Sequence, residues 1–119
     1  MNYAMAMPYE RIQEKIEIEL VLCFGVELTL IQVGYFFQAN CDSARVLNEI
    51  FGFKLYKIGK GNTIYTGFPC SATETLQAIR EMDIPWAIVE QERNEGGRII
   101  RRVTESSVER AVGHLVWPS

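Results

Sequence analysis

A mixed β-sheet packed with α-helices, in a single α/β domain over residues 1–119, is the fold class this sequence predicts. Three observations predict it. Apolar residues recur at helical spacing in segments that carry their own start or stop signals. Short runs rich in Val, Ile, Tyr, Phe and Thr lie between those segments, and Gly, Pro or Asn punctuates the junctions. A chain of 119 residues also buries roughly two-thirds of its unfolded surface, enough for one core.

The elements follow in order. Pro8 suits the first turn of a helix in which Tyr9, Ile12, Ile16 and Leu20 share a face, with Gly25 as its stop. The alternation "IEIEL" within it competes as a strand. "ELTLIQVGYFF" (27–37) is nearly continuously apolar and reads as one central strand covered on both faces. Asn40 or Asp42 caps a helix whose stripe is Val46, Leu47, Ile50 and Phe51, ended by Gly52.

"FKLYKI" (53–58), "GKGN" (59–62) and "TIYTG" (63–67) read as strand, tight turn and hairpin partner. Ser71 and Glu74 form an S-x-x-E capping box for a helix that turns Leu76, Ile79 and Met82 inward and stops before Pro85. "WAIVEQ" (86–91) is a largely buried strand, "NEGG" a turn and "RIIRRVT" (98–104) the last strand. Ser106 or Ser107 caps a short final helix that stops near Gly113, within a C-terminal segment 105–119.

Composition excludes several classes. Three cysteines (Cys23, Cys41, Cys70) form no CxxC pair and suit a reducing cytosol. The N-terminus has no signal-peptide pattern, and the most apolar stretch, 16–37, is interrupted by Glu17, Glu19, Glu27 and Gln32, so no membrane span is expected. A cytoplasmic protein is the expectation. The single histidine, His114, has no Cys or acid at metal spacing. "GKGNT" lacks the full phosphate-loop pattern, and Glu90 and Glu92 share a strand face without a partner base. No enzyme, metal or cofactor is expected.

Net charge is −3, but the charge is blocked. Lys54, Lys57 and Lys60 lie in a stretch free of acids, interleaved with Phe53, Tyr56, Tyr65 and Phe68, and Arg98, Arg101 and Arg102 form a second basic cluster. Basic segments with aromatics between them follow a phosphate backbone well. A strand with lysines on its solvent face is the plainer alternative.

The stretch "VGYFFQANCDSA" (33–44) places Tyr35, Phe36 and Phe37 in a row before polar Gln38. Together with "YTGFP", "IPWAIVEQ" and "IIRRVT", in that order and spacing, it resembles the N-terminal mismatch-recognition domain of MutS-type DNA mismatch-repair proteins, over about residues 8–107. The family pattern is a strand running into G-x-F-Y-E, an acid-alanine pair, a G-V-P turn, a V-A-x-x-E-Q strand and a V-x-R-x-V-T strand. Gly34 to Gln38 occupy the first motif and Ser43-Ala44 the acid-alanine position. Gly67-Phe68-Pro69 take the turn, and Ala87 with Glu90-Gln91 the next strand.

The resemblance implies a non-enzymatic DNA-binding module. Phe36 would wedge into the base stack beside a mismatch, and Gln38 would hydrogen-bond the displaced base. Gly34, Phe37 and the six basic residues named above complete the implied DNA-binding set. Departures are visible: Gln38 stands for a carboxylate, Phe37 for a tyrosine and Tyr35 for what is often an acid. If strand alternation holds through 35–37, Phe36 is exposed only where Tyr35 and Phe37 are not.

Expected partners are mispaired, distorted or single-stranded DNA. The alternative is an accessory role toward a repair protein or a retroelement reverse transcriptase, as free-standing domains of this kind resemble. A fragment of a longer repair protein is the less expected case, because the chain has its own Met and "HLVWPS" departs from the family continuation. The apolar tip and the "LVW" tail (115–117) set the expected assembly as a monomer or weak homodimer.

Overall fold

Residues 8–57 and 63–116 are described by a computed structural model. Helix α1 (Pro8–Phe24) leads, followed by β1 (Leu28–Val33), β2 (Phe36–Asn40) and α2 (Cys41–Phe51). Then come β3 (Tyr56–Lys57), β4 (Ile64–Pro69), α3 (Thr73–Arg80), β5 (Trp86–Arg93) and β6 (Ile99–Ser106). A 3₁₀ turn (Glu109–Ala111) and β7 (Leu115–Val116) close the chain. Among the described residues the strands form one mixed sheet in the order β3-β4-β2-β1-β5-β6-β7. Only the central β1–β5 pair is parallel; the other neighbours are antiparallel. The Cα radius of gyration, 13.9 Å, matches the ~13.5 Å of one compact domain of this length.

Helices cover both faces. Leu28, Leu30, Phe37, Ala39, Phe68, Trp86 and Ile88 meet Leu47 of α2 and Leu76 and Ile79 of α3 in one core. On the opposite face Ile31, Ala87, Val89 and Val103 meet Ile16 and Leu20 of α1 in a second. Strand period and helical period therefore agree about which residues go inside. β1 and β5 are buried on both faces, which accounts for their unbroken apolar runs.

Most elements fall where the sequence places them, α1 included. Ile16 and Leu20 are fully buried, and Gly25 (φ +69) ends the helix by donating its N–H to Val21 O. "IEIEL" is helical: Glu17 accepts the Asn40 N–H at the end of β2, Glu19 meets His114 ahead of β7, and Ile16 and Leu20 pack on the sheet while Ile18 faces solvent. The side chain of Tyr9, the turn at 59–62, Lys60 and Trp117 lie outside the described residues.

The main correction concerns 27–37, which is not one strand. Gly34 takes φ +61 and opens a two-residue turn with Tyr35, so the chain doubles back with Val33 opposite Phe36. A glycine of positive φ in the first loop position is the signature of a II′ hairpin turn. Because Tyr35 sits in the turn, the alternation rule does not bind it. Tyr35 is 89% exposed and Phe36 54%, whereas Phe37 is 4% exposed, its ring 5.9 Å from that of Phe68.

Smaller corrections have similar local causes. Gly67-Phe68-Pro69 are the end of β4, paired with Phe36 to Gln38, rather than a turn. At the start of α3, Ala72 occupies the cap position without a side-chain cap bond, and Ser71 uses its carbonyl to accept the Thr73 N–H instead. Asn40 precedes α2 but its side chain is engaged elsewhere, and Ile50 points to solvent while Ser43 and Ala44 are buried. Ser107 Oγ accepts the Trp86 N–H and Ser106 Oγ accepts the Val108 N–H, so these serines close the β5–β6 end and shape a single 3₁₀ turn. β7 was not expected; it adds to β6 as a two-residue strand.

This placement separates two adjacent phenylalanines energetically. Phe37→Ala is expected to cost about 3–5 kcal/mol by emptying the core, and Phe36→Ala under about 1 kcal/mol. Urea unfolding of the two variants checks it.

Candidate nucleic-acid interface

One backbone tie and one side chain hold the β1–β2 tip. The Cys70 N–H donates to Tyr35 O (2.8 Å), joining the tip to the end of β4. Gln32 Nε2 donates to Gly34 O (3.1 Å), and Gln32 Oε1 accepts the Gln91 N–H (2.8 Å), joining it to β5. The exposed rings of Tyr35 and Phe36 thus stand on a braced turn.

Phe36 opens a row across the sheet on the α1 face. Val33 lies opposite Phe36, and Pro69 lies on its other side. The parallel register (Ile31 opposite Val89) places Val33 beside Gln91, which pairs with Arg101. Arg101 is therefore three strands from Phe36, about 14 Å. Arg98 is exposed at the β5–β6 loop. Arg102 points to the other face, where it pairs with Glu92 (3.1 Å) and donates to Gly113 O (2.8 Å). On the opposite side of Phe36, Lys54 and Lys57 are exposed, with Lys54 Nζ 5.5 Å from the Tyr56 ring centroid.

Gln38, next on the same face as Phe36, is not a loose side chain. Its Nε2 donates to Gln13 Oε1 (2.6 Å) and Asn40 Oδ1 (2.9 Å). Both amide hydrogens are committed, which leaves Oε1 as an acceptor, the role a carboxylate would play there. The chain of polar contacts continues: the Asn40 N–H donates to Glu17 Oε2 (2.8 Å), so α1, β2 and the start of α2 are joined through Gln13, Gln38, Asn40 and Glu17.

A groove of about 350 Å³ opens beside Phe36 on this face, lined by Gln38, Tyr56, Tyr65 and Gly67 among others. Beside it α1 packs over β1, β5 and β6, and its Glu14 accepts a hydrogen bond from Thr63 Oγ1 (2.7 Å) at the head of β4. The Tyr56 and Tyr65 rings pair across strands at 5.5 Å. Gly67 is required by the sheet: a Cβ there would stand 2.7 Å from Phe37 O.

Of the ten residues the sequence singles out, the structure gathers Phe36, Gln38 and Lys54 around this groove, with Gly34 in the turn above. It sends Phe37 into the core and Arg102 and Lys57 to the far face, Lys57 by its place one residue after Tyr56 in β3, and leaves Arg98 and Arg101 at the flank. Tyr35 and Gly67 are exposed outside that set, and Tyr56 and Tyr65, which the sequence marks only as aromatics between basic residues, form a ring pair in the groove. The alternation in "IYTGFP" was the available signal, since it puts Tyr65 and Phe68 on opposite faces.

Elsewhere, His114 hydrogen-bonds Glu19 and meets the Phe24 ring in a T-shaped contact, tying β7's lead-in to α1. Thr104 hydrogen-bonds Glu90. The three cysteines are free, and burial pushes the Cys41 and Cys70 thiols up. Among the described residues no cluster of three or more His, Cys, Asp or Glu side chains is placed to hold a metal, and no helix is long and apolar enough to cross a membrane. No protein-family model and no curated protein matches the sequence.

Among the described residues Glu17 is the one strongly displaced acid. Burial pushes its carboxyl from 4.5 up to about 8, against the opposing hydrogen bonds from Asn40 and Ser43. The folded state thus holds this proton more tightly than the unfolded chain. Its contribution to stability is complete below about pH 4.5 and is lost as pH rises toward 8. Glu17→Gln keeps an acceptor for the Asn40 N–H and has no proton to lose. Thermal melts from about pH 5 to about pH 9 are expected to show the variant gaining on the wild type as pH rises.

Proposed function

We propose that this protein is a non-enzymatic DNA-binding module that recognises mispaired or distorted duplex through an aromatic wedge at Phe36. The observation that carries this reading is the braced turn that leaves Phe36 half exposed while Phe37 anchors the strand from below. The sequence resemblance to the MutS-type mismatch-recognition domain supports the same position. A ring on a rigid support enters a base step at low cost only where pairing is already weakened, so discrimination comes from DNA deformability.

The energy balance favours a weak binder. Unstacking a step costs a few kcal/mol, and one aromatic–base stack returns about 1–3 kcal/mol. The rest must come from phosphate contacts, for which Lys54, Arg98 and Arg101 flank the row. Binding by a domain of net charge −3 then falls steeply with salt.

A second reading has its own observation. Ile18, Val21 and Leu22 are exposed on α1 beside a groove of about 350 Å³ that Glu27 and Asp42 also line. An apolar stripe of this kind suits a protein contact and an accessory role in a repair or reverse-transcriptase complex.

Fluorescence anisotropy at low salt with matched and mismatched duplexes separates the two. The wedge predicts tighter binding to the mismatch, with the preference abolished in Phe36→Ala. Equal binding to both duplexes, unchanged in Phe36→Ala, would leave the protein-contact reading.

A further inference from the structure

The groove beside Phe36 has chemistry of its own. One end is the Tyr56–Tyr65 ring pair, with Tyr56 47% exposed. The other end is Phe36. The registers Phe36–Pro69, Gln38–Gly67 and Asn40–Tyr65–Tyr56 put all of them on one face of the sheet. Phe36 and the tyrosine row are four residues apart along the strands, about 13 Å. Between them Gly67 brings no side chain, so the floor is bare backbone.

Gln38 stands opposite Gly67 with its amide hydrogens committed to Gln13 and Asn40. Lys54 lies over Tyr56, its ammonium 5.5 Å from the ring centroid. Flat aromatic walls, an open floor, a fixed acceptor and a neighbouring cation match a planar heterocycle carried on a phosphate backbone.

We propose that this groove binds an unstacked base of a single-stranded nucleic acid, which stacks on the Tyr56–Tyr65 pair and is met by Gln38 Oε1. The inference rests on the reading that this face meets nucleic acid, and it adds a site distinct from the wedge. An acceptor finds an N–H on the pairing edge of any base, so the site detects that a base is unpaired without identifying it. In a distorted duplex, Phe36 would open the step and the groove would receive the base that leaves it. Lys54 would contribute a single phosphate contact.

The test uses the full chain and a labelled single strand of about 12 nucleotides, in DNA and RNA form, at low salt. Tyr56→Ala is expected to weaken binding about 5- to 100-fold. Tyr56→Phe retains the ring and is expected to bind like the wild type. Addition of the unlabelled strand should shift the Gly67 and Gln38 backbone amide resonances of the wild type.

Dependence on Tyr56 in either arm supports the proposal, and the arm that shows it names the source of the strand. Absence of single-strand binding, or binding unchanged in Tyr56→Ala, overturns it. The wedge is judged separately. A mismatch preference that survives Tyr56→Ala without single-strand binding overturns the groove alone. Tyr56-dependent single-strand binding without a mismatch preference overturns the wedge alone.

Discussion

Phe36 faces out and Phe37 faces in because Gly34 takes a left-handed backbone conformation and folds the chain back after Val33. A residue with a Cβ would resist that φ. Once the turn is set, parity does the rest. Phe37 and Ala39 enter the core beneath α2 and α3, and Phe36, Gln38 and Asn40 turn toward the α1 side. The row of Phe36, Gln38 and Asn40 on that side descends from this one backbone angle.

The α1 side is built from two kinds of contact that divide it into a closed half and an open half. Over β1, β5 and β6 the helix is held by Ile16 and Leu20, which are apolar and fully buried. Over β2 it is held by Gln13 and Glu17, which bind the side chain of Gln38 and the backbone of Asn40. Polar contacts of this sort are directional, so they fix where the helix stops and the bare surface begins. The cost is visible in Glu17, whose burial works against its own charge.

Much of the fold was legible because helical and strand periods were unmixed. α1, α3, β5 and the β5–β6 turn follow from apolar spacing and from Gly or Pro stops. The 27–37 segment was not, because continuous apolar composition erases the alternation that marks a strand's ends. There a Gly-X pair was the only punctuation, and it was read as part of the run. Capping was misread twice for a related reason: Asn40 and Ser71 have the right side chains, but tertiary partners or backbone carbonyls take their place. At the tip, strand alternation separates exposed Phe36 from buried Phe37, but it does not reach Tyr35, which sits in the turn. Tyr56 and Tyr65 come from a different hairpin and meet Phe36 only through sheet order, which no local pattern contains.

Among the described residues the two outermost strands, β3 and β7, are two residues long each. A sheet border is a ladder of unpaired N–H and C=O groups, and a long one templates another chain's strand. Here each outermost strand covers only two residues of its longer neighbour, so stretches of β4 and β6 keep an outer side without a strand partner among the described residues. A second extended chain would find its backbone hydrogen bonds there.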